Sequence, residues 1–370
     1  MTTPLATPIP PARSWKESIP WGILTLAIVA AYPLIPGLEN SLGIGNQLGF
    51  LFIFSILALA LNVIVGYTGL LHLGIAAFFG IGAYITGILT ISRYPFQVGF
   101  FPALVASTVG ASLLGMMISA PTLRLRGDYL ALVTLGFGEV VRFSLRNLEE
   151  ITDGTKGLNP IPAPKFLGED ANWAGDFRYF YYLTFAILLV VILLLRNIER
   201  SRLGRAWVAL REDELATTAM GLSTARLRLL AFGLGCGLAG LAGSLYATRL
   251  VNTADPNSYD FNRSIIMLSC LILGGLGNRN GVLLGVFLIL GFDNILAPLM
   301  DGIIQRNFPG ETKVYFTFSG WRLMVFGMAL ILVMRYRPEG LLPSSRMAHE
   351  LHPEDELPPQ PEASAAEVKS

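Results

Sequence analysis

Residues 203–228 read LGRAWVALREDELATTAMGLSTARLR, a charged segment with a helical pattern that lies between two long apolar segments. The basic residues in or beside it are Arg202, Arg205, Arg211, Arg226 and Arg228. Because Lys and Arg concentrate in the cytoplasmic loops of membrane proteins, the segment is expected on the cytoplasmic side. We predict a docking helix for a cytoplasmic motor protein. The alternative is a solvated amphipathic helix that contacts no partner.

The composition of the whole chain indicates the class of protein. Hydrophobic residues make up 53% of the 370 residues and charged residues 14%, and the mean hydropathy is +0.56. Soluble proteins carry about 25% charged residues. The apolar runs are continuous and close to the ~20 residues that a helix needs to cross a bilayer, whereas a barrel would show short alternating strands. The sequence predicts an all-α, polytopic helical membrane protein with a cytoplasmic coupling helix.

About ten transmembrane segments are predicted. They lie near residues 21–38, 48–66, 67–91, 100–120, 128–147, 179–196, 227–247, 264–277, 281–300 and 321–335. The glycine-rich segment 67–91 leaves two structures open: a tightly packed spanning helix, or a broken or re-entrant helix that lines a cavity.

The loop charges predict the topology and the domain organisation. Basic residues in the loops place the charged segment and both termini in the cytoplasm, because an even number of spans returns the chain to the same side. The predicted parts are a cytoplasmic leader at 1–20, a transmembrane domain at 21–343 and a disordered cytoplasmic tail at 344–370. Within the domain, the coupling loop covers about 197–228, and an acidic external loop covers about 147–178.

No catalytic, cofactor or metal site is predicted. The three histidines are scattered, and a GxxxxGK[ST] phosphate-binding loop is absent, so any ATP hydrolysis belongs to another subunit. Ionisable residues within apolar segments are the remaining functional signals: Glu139, Arg142 and Asp293. Glu139 and Arg142 are three residues apart, so they form either an ion pair on one helix face or a substrate contact. For His72 a hydrogen-bonded packing role is favoured over a substrate ligand.

Residues 49–343 resemble the LivM-type permease subunits of ABC importers for branched-chain and related hydrophobic amino acids. The motifs that carry the resemblance are LRLRGDYLALVTLGFGEVVR at 123–142, TDGTKGL at 152–158, RAWVALREDELATTAMG at 205–221, LILGGLGNRNGVLLG at 271–285 and RPEGLLP at 337–343. The resemblance departs at 69–84, where GLLHLGIAAFFGIGAY stands in place of a pattern such as GQLSLGHAAFFGIGAY. This departure widens the expected substrate range to neutral amino acids.

The resemblance implies a bacterial inner-membrane transport subunit without enzymatic activity of its own. The implied partners are a second, LivH-like permease, two cytoplasmic ATPases, an external substrate-binding protein, the amino-acid substrate and membrane lipid. The implied ATPase-coupling residues are Arg211, Glu212, Asp213, Glu214 and Gly221. The candidate residues of the translocation pathway are Gly69, His72, Gly74 and Glu139.

Two other transport functions remain open at this point. The nearer is a related permease for urea or short amides, which shares the subunit plan. The more distant is an ion-coupled secondary transporter, which requires inverted repeats and ionisable residues at the middle of the membrane. Uptake assays separate these alternatives.

Overall fold

The computed structural model describes residues 32–34, 44–122, 128–162, 164–166, 169–170, 177–307, 318–337 and 340–342. The predicted leader, the predicted tail and most of the first predicted span, 21–38, lie outside the described residues.

The described residues are almost entirely helical, which confirms the all-α class. The helices are α1 (Ile44–Leu61), α2 (Ile75–Thr90), α3 (Phe100–Thr122), α4 (Asp128–Asn147), α5 (Glu149–Thr152), α6 (Phe177–Arg200), α7 (Arg202–Glu212), α8 (Glu214–Ala219), α9 (Thr224–Leu250), α10 (Phe261–Gly274), α11 (Arg279–Gly291), α12 (Ala297–Asn307) and α13 (Phe318–Tyr336). Short 3-10 turns cover Tyr32–Leu34, Gly154–Lys156 and Pro256–Tyr259, and π-helical turns extend α1 over Asn62–Tyr67 and α11 over Phe292–Leu296. A small antiparallel hairpin pairs β1 (Lys165–Phe166) with β2 (Glu169–Asp170).

Five helical stretches of the described chain are long and apolar enough to cross a membrane. They are Gly45–Tyr67, Phe100–Thr122, Arg178–Arg200, Thr224–Leu250 and Arg279–Gly302. All five coincide with predicted spans. The helices α4 and α13 also coincide with predicted spans but are not among the five, and α10, with 14 residues, is shorter than a full crossing requires. A total of about ten spans therefore stays a prediction.

Two of these stretches form the centre of the bundle. Helix α1 is apolar around its circumference and almost fully buried, as expected for a helix surrounded by protein. Helix α9 packs against α1, α2 and α3, and it is rich in glycine and alanine where the backbones approach. The outer helices instead expose apolar strips, for example Val105, Val109, Leu113 and Met117 on α3. These strips suit contact with lipid or with another membrane subunit.

The segment 67–91 is a broken helix rather than a continuous span. After the π-helical turn that ends at Tyr67, residues 69–74 are not helical, and α2 begins at Ile75. The 16 residues of α2 are too few to cross ~30 Å of hydrocarbon. Irregular backbone is tolerated inside a membrane protein only where protein or a cavity surrounds it.

Contacts between distant segments bring the charged segment and the start of α11 to one end of the bundle, here called the loop end. Glu199, near the C-terminus of α6, pairs with Arg279 at the start of α11 at 2.7 Å. Arg211 of α7 donates a hydrogen bond to the carbonyl of Gly66 at 2.7 Å. Asn46 of α1 and Arg249 of α9 bond to each other at the opposite end, here called the far end. The charged segment and Arg279 thus share one end of the bundle.

Candidate functional site

The charged segment folds into two short helices rather than the single helix predicted. Helix α7 ends at Glu212, and Asp213 has an extended backbone with ψ of 115°. The Asp213 carboxylate accepts hydrogen bonds from the backbone N–H groups of Leu215 at 2.7 Å and Ala216 at 3.1 Å. An aspartate that caps a new helix in this way interrupts the previous one. Gly221, with φ of +80°, then turns the chain towards α9.

Two of the predicted coupling residues point into the protein. The guanidinium of Arg211 bonds to the Gly66 carbonyl, and its side chain lies against Gly69, whose added Cβ would sit 3.0 Å from Arg211 Cγ. Glu214 forms a salt bridge of 2.7 Å with the buried Arg228 of α9. Arg211 and Glu214 therefore hold the loop on the bundle. Gly69, predicted for the pathway, meets Arg211, predicted for coupling, at the loop end.

The surface that the loop exposes includes large apolar side chains. Glu212, Asp213 and Gly221 are exposed, but Leu215 and Met220 expose 73% and 82% of their area. We define the loop tip as the exposed apolar residues Leu215, Ala216, Ala219, Met220 and Leu222. Large exposed side chains of this kind, next to exposed carboxylates, are typical of a protein-protein contact.

The anchor of the loop is Trp207 of α7. Its ring is fully buried, and Nε1 donates a 2.9 Å hydrogen bond to the carbonyl of Leu227 in the first turn of α9. This contact joins the start of the loop to its end. It therefore fixes α7, which precedes the loop tip, to α9, which follows it.

We expect Trp207→Ala to detach the loop. Loss of a buried Trp ring costs about 3–5 kcal/mol, whereas Trp207→Phe keeps most of the volume and loses one hydrogen bond worth about 1 kcal/mol. Limited trypsin digestion of membrane vesicles measures the rate of cleavage at Arg205 and Arg226 in the wild-type and variant proteins. Faster cleavage is expected for the alanine variant and near wild-type cleavage for the phenylalanine variant. Equal cleavage rates in all three proteins would contradict this role.

A second polar cluster joins three segments at the loop end. The Tyr67 hydroxyl donates to Glu199 Oε1 at 2.6 Å, and Arg279 Nη1 donates to Glu199 Oε2 at 2.7 Å. The Gly277 N–H donates to the Asn62 side chain at 3.0 Å. With Arg211 beside it, this cluster links the loop to the π-helical turn of α1 and to the start of α11.

The N-terminus of α2 meets the N-terminal half of α10 inside the bundle. The Ala76 N–H donates to Ser264 Oγ at 3.2 Å, and the Leu73 N–H donates to Thr134 Oγ1 of α4 at 3.1 Å. Ser264 lies ten residues before the end of α10, which corresponds to about 15 Å from the loop end at 1.5 Å per residue. The break in the helix therefore lies near the middle of the bundle.

Two of the predicted pathway residues line a small cavity at this break. Gly74 and Glu139 contribute to it with Ser264, and the cavity measures about 10 Å³. A Cβ on Gly74 would lie 2.2 Å from the Thr134 carbonyl, so α2 and α4 approach as closely as glycine permits. Glu139 is paired with Arg142 at 2.7 Å, and Arg142 also donates to Asn257 at 2.7 Å. The ion pair that the spacing suggested is present.

His72 does not line this cavity. Its ring lies 5.3 Å from the ring of Phe232 and 5.9 Å from that of Phe78, measured between centroids. The side chain is buried, and neither ring nitrogen has a hydrogen-bond partner among the described residues. The packing role is thus present, but the hydrogen bond expected with it is not.

Tyr259 closes the far side of the same small cavity. Burial raises the pKa of its hydroxyl well above the ordinary value, so the group stays protonated and donates to the carbonyl of Thr253. Among the described residues, no group of three His, Cys, Asp or Glu side chains is placed to hold a metal ion. The polar groups of this region bind one another.

Comparison with known proteins assigns the family. Residues 43–334 match the family described as the permease component of the branched-chain amino acid transport system. The chain belongs to this family. The resemblance noted from the sequence motifs is confirmed.

The relatives of this permease are named for different transported substrates. The high-affinity branched-chain amino acid permease LivM of Escherichia coli is 37% identical over 315 residues, which cover 80% of this chain and 68% of the relative. The probable branched-chain amino acid permease LivM of Methanocaldococcus jannaschii is 28% identical, over 77% of this chain and 84% of the relative. The autoinducer 2 import permease LsrC of Salmonella typhi is 23% identical, over 74% and 77%. No solved structure matches the chain.

Several residues of this permease that shape the sites were not singled out from the sequence. Leu215 and Met220 form the exposed tip, and Glu199 and Tyr67 form the cluster beneath the loop. The signal for the tip was available, because Leu215, Ala219 and Met220 are apolar residues in a charged segment. Nothing in the sequence pairs Tyr67 with Glu199, which is 132 positions away.

Proposed function

We propose that this chain is one permease subunit of an ATP-driven ABC importer for branched-chain or broader neutral amino acids. The observation that carries the proposal is the 37% identity to the LivM permease over 80% of this chain. The five apolar helical stretches support a multi-pass protein of the bacterial inner membrane. In this role the chain takes part in amino-acid transport without catalysing a reaction, and separate ATPase subunits hydrolyse ATP.

The loop is proposed to couple this subunit to the ATPases. The loop tip offers apolar side chains to a partner, while Glu212 and Asp213 add exposed charge at its edge. Arg211, Glu214 and Trp207 hold the loop on α1 and α9, so a push on the tip reaches the bundle. Gly221 supplies the turn that returns the chain to α9. ATP binding then moves the loop, and the bundle opens to one side at a time.

The proposed translocation pathway passes the break between Tyr67 and α2. Gly74 and Glu139 lie at the small cavity near the middle of the bundle, and Gly69 lies at the loop end against Arg211. His72 supports the break by packing against aromatic rings. Because the short helix α2 is joined to the loop through Gly69 and Arg211, motion of the loop displaces the break directly.

The loop end is proposed to face the cytoplasm, with both termini on that side. Arg200, Arg202, Arg205, Arg226 and Arg279 lie at this end, and such a surplus of basic residues is typical of cytoplasmic loops. Glu149, Glu150, Asp153 and Asp255 lie towards the far end. We retain the division into a leader at 1–20, a membrane domain at 21–343 and a tail at 344–370.

The proposed assembly contains a LivH-like second permease, two ATPases and an external binding protein. The exposed apolar strips of α3, α4 and α6 provide area for the second permease and for lipid. The far end, which includes the acidic loop at about 147–178, is where the binding protein would deliver substrate.

Uptake in cells with and without this subunit tests the proposal. Labelled leucine, alanine, glycine, proline and urea are compared, and each assay is repeated with the ATPases inactivated. Leucine uptake is expected to fall to background both without the subunit and without ATPase activity. Loss of urea uptake alone would move the function to the amide branch, and uptake that survives ATPase inactivation would indicate a secondary transporter.

A further inference from the structure

A second cavity, of about 460 Å³, lies towards the far end of the bundle. Its walls come from α1, the C-terminal turns of α9, the start of α10 and the π-helical turn after α11. The lining residues that matter here are Phe54, Tyr246, Arg263, Met267, Leu290 and Asp293. Its volume falls within the range of about 300–1,000 Å³ found for small-molecule sites.

Arg263 holds a positive charge in this cavity. Its guanidinium carbon lies 5.1 Å from the ring centroid of Phe54 and 5.9 Å from that of Tyr246, and Nε donates to the Ser258 carbonyl at 3.2 Å. Arg263 forms no salt bridge with any residue that the structure describes. The aromatic faces and the carbonyl orient the guanidinium, and its terminal nitrogens suit a carboxylate.

The same cavity contains a carboxylate from another helix. Asp293 lines it from the π-helical turn after α11 and is half-buried. Asp260 also lines the cavity, and its Oδ1 caps α10 by accepting a hydrogen bond from the backbone N–H of Arg263 at 3.0 Å. An ionisable residue within an apolar membrane helix is costly and marks a functional position. Asp293 therefore places a carboxylate in the cavity wall on a different helix from Arg263.

Buried apolar side chains complete the wall. Phe54, Met267 and Leu290 are each less than a tenth exposed. The lining thus combines a cation, an anion and a hydrocarbon surface, which are the complements of a carboxylate, an ammonium and an apolar side chain. The cavity at the helix break, at about 10 Å³, has room for about one water molecule, so an amino acid fits the far-end cavity and not the break.

We propose that the far-end cavity is a direct binding site for the zwitterionic amino-acid substrate within this subunit. Arg263 binds the α-carboxylate, Asp293 binds the α-ammonium, and Phe54, Met267 and Leu290 contact the hydrocarbon side chain. The proposal rests on the proposed function, and it adds that the permease itself selects for a zwitterion after delivery by the binding protein.

The test measures binding of labelled leucine to the purified permease-ATPase assembly without the external binding protein. Leucine methyl ester, which lacks the carboxylate charge, and 4-methylpentanoate, which lacks the ammonium, serve as competitors. Both are expected to compete at least about tenfold less well than leucine, since a charge-assisted pair is lost in each case. Arg263→Gln is expected to remove the discrimination against the ester, and Asp293→Asn the discrimination against 4-methylpentanoate.

Matched variants separate the site from the fold. Arg93→Gln removes an exposed arginine elsewhere at the far end, paired with Asp153, and should leave binding unchanged. Arg263→Lys should restore part of the discrimination. In a second measurement, Asn262→Cys at the exposed edge of the cavity is labelled with a membrane-impermeant maleimide, because both native cysteines are buried. Leucine should slow this labelling several-fold, and urea should not.

The outcomes distinguish this site from the proposed function. If leucine uptake requires the subunit but leucine binding and competitor discrimination survive both Arg263→Gln and Asp293→Asn, the cavity assignment is overturned and the permease function stands. The same holds if leucine leaves the labelling of Asn262→Cys unchanged. If uptake of leucine does not require the subunit, the proposed function fails, and the site fails with it.

Discussion

Replacing Leu215 and Met220 together with aspartate is expected to abolish coupled transport while the protein stays folded and inserted. The two side chains expose 73% and 82% of their area and make the loop tip apolar. If they are buried against an ATPase, an interface hot spot loses at least about 2 kcal/mol, which is about 30-fold in affinity. Leucine uptake should fall at least about 30-fold, and the ATPases should no longer co-purify with the permease.

The matched control is Ala225→Asp, which adds an exposed carboxylate in the first turn of α9, outside the loop tip. A negative charge is tolerated at a helix N-terminus, so uptake should remain within about twofold of wild type.

Charge reversal at Glu212 tests the edge of the same surface. Reversal at Glu214 instead breaks the salt bridge to Arg228 and reports on the loop fold. Wild-type uptake in the Leu215/Met220 double variant would remove the loop tip from the coupling mechanism.

Gly243→Leu is expected to prevent formation of the folded subunit. A Cβ on Gly243 would lie 1.9 Å from the carbonyl oxygen of Phe79, and one on Gly82 would lie 2.1 Å from that of Gly240. Helices α2 and α9 therefore touch through their backbones, as small residues permit in membrane proteins. Inserting a leucine side chain forces the helices apart, and overpacking of this kind costs about 1–3 kcal/mol or more. The amount of monodisperse protein after detergent extraction measures the effect.

A pair of alanine substitutions gives the control for this contact. Gly136 on α4 has no atom within 4 Å of an added Cβ, so Gly136→Ala should be neutral or stabilising by about 0.5–1 kcal/mol. Gly243→Ala should be destabilising although the chemical change is the same. Equal thermal stability of the two variants would mean that α2 and α9 are not in backbone contact.

The amphipathic pattern and charge of residues 203–228 predicted a helical segment but not which side chains it presents. Arg211 and Glu214 belong to the charged cluster, yet they bind Gly66 and Arg228 inside the protein. The break at Asp213 depends on a side-chain cap that competes with helix continuation. The helical pattern predicts one helix because periodicity reports which face of the whole segment is apolar. It does not report that the Asp213 side chain competes locally with continuation of the helix.

The break at 69–74 shows a similar limit. Its glycines were compatible with a packed span or with a broken helix, since small residues serve both. The broken helix is favoured because the hydroxyls of Thr134 and Ser264 accept hydrogen bonds from the N–H groups of Leu73 and Ala76. Both hydroxyls lie far from these residues in sequence. Without such partners, unpaired backbone groups inside the bundle would be too costly, and a continuous helix would be preferred.

The helical membrane class, five helices long enough to cross a membrane and the family could be predicted from the sequence, because hydrophobic length and motif composition are local properties of the chain. The tertiary structure decided which charged loop residues point inwards, where the helix breaks, and that Phe54, Arg263 and Asp293 share one cavity. These features depend on the packing of segments that are far apart in sequence, such as Asn62 and Gly277, which are 215 positions apart. Periodicity within one helix carries no information about the helix that packs against it.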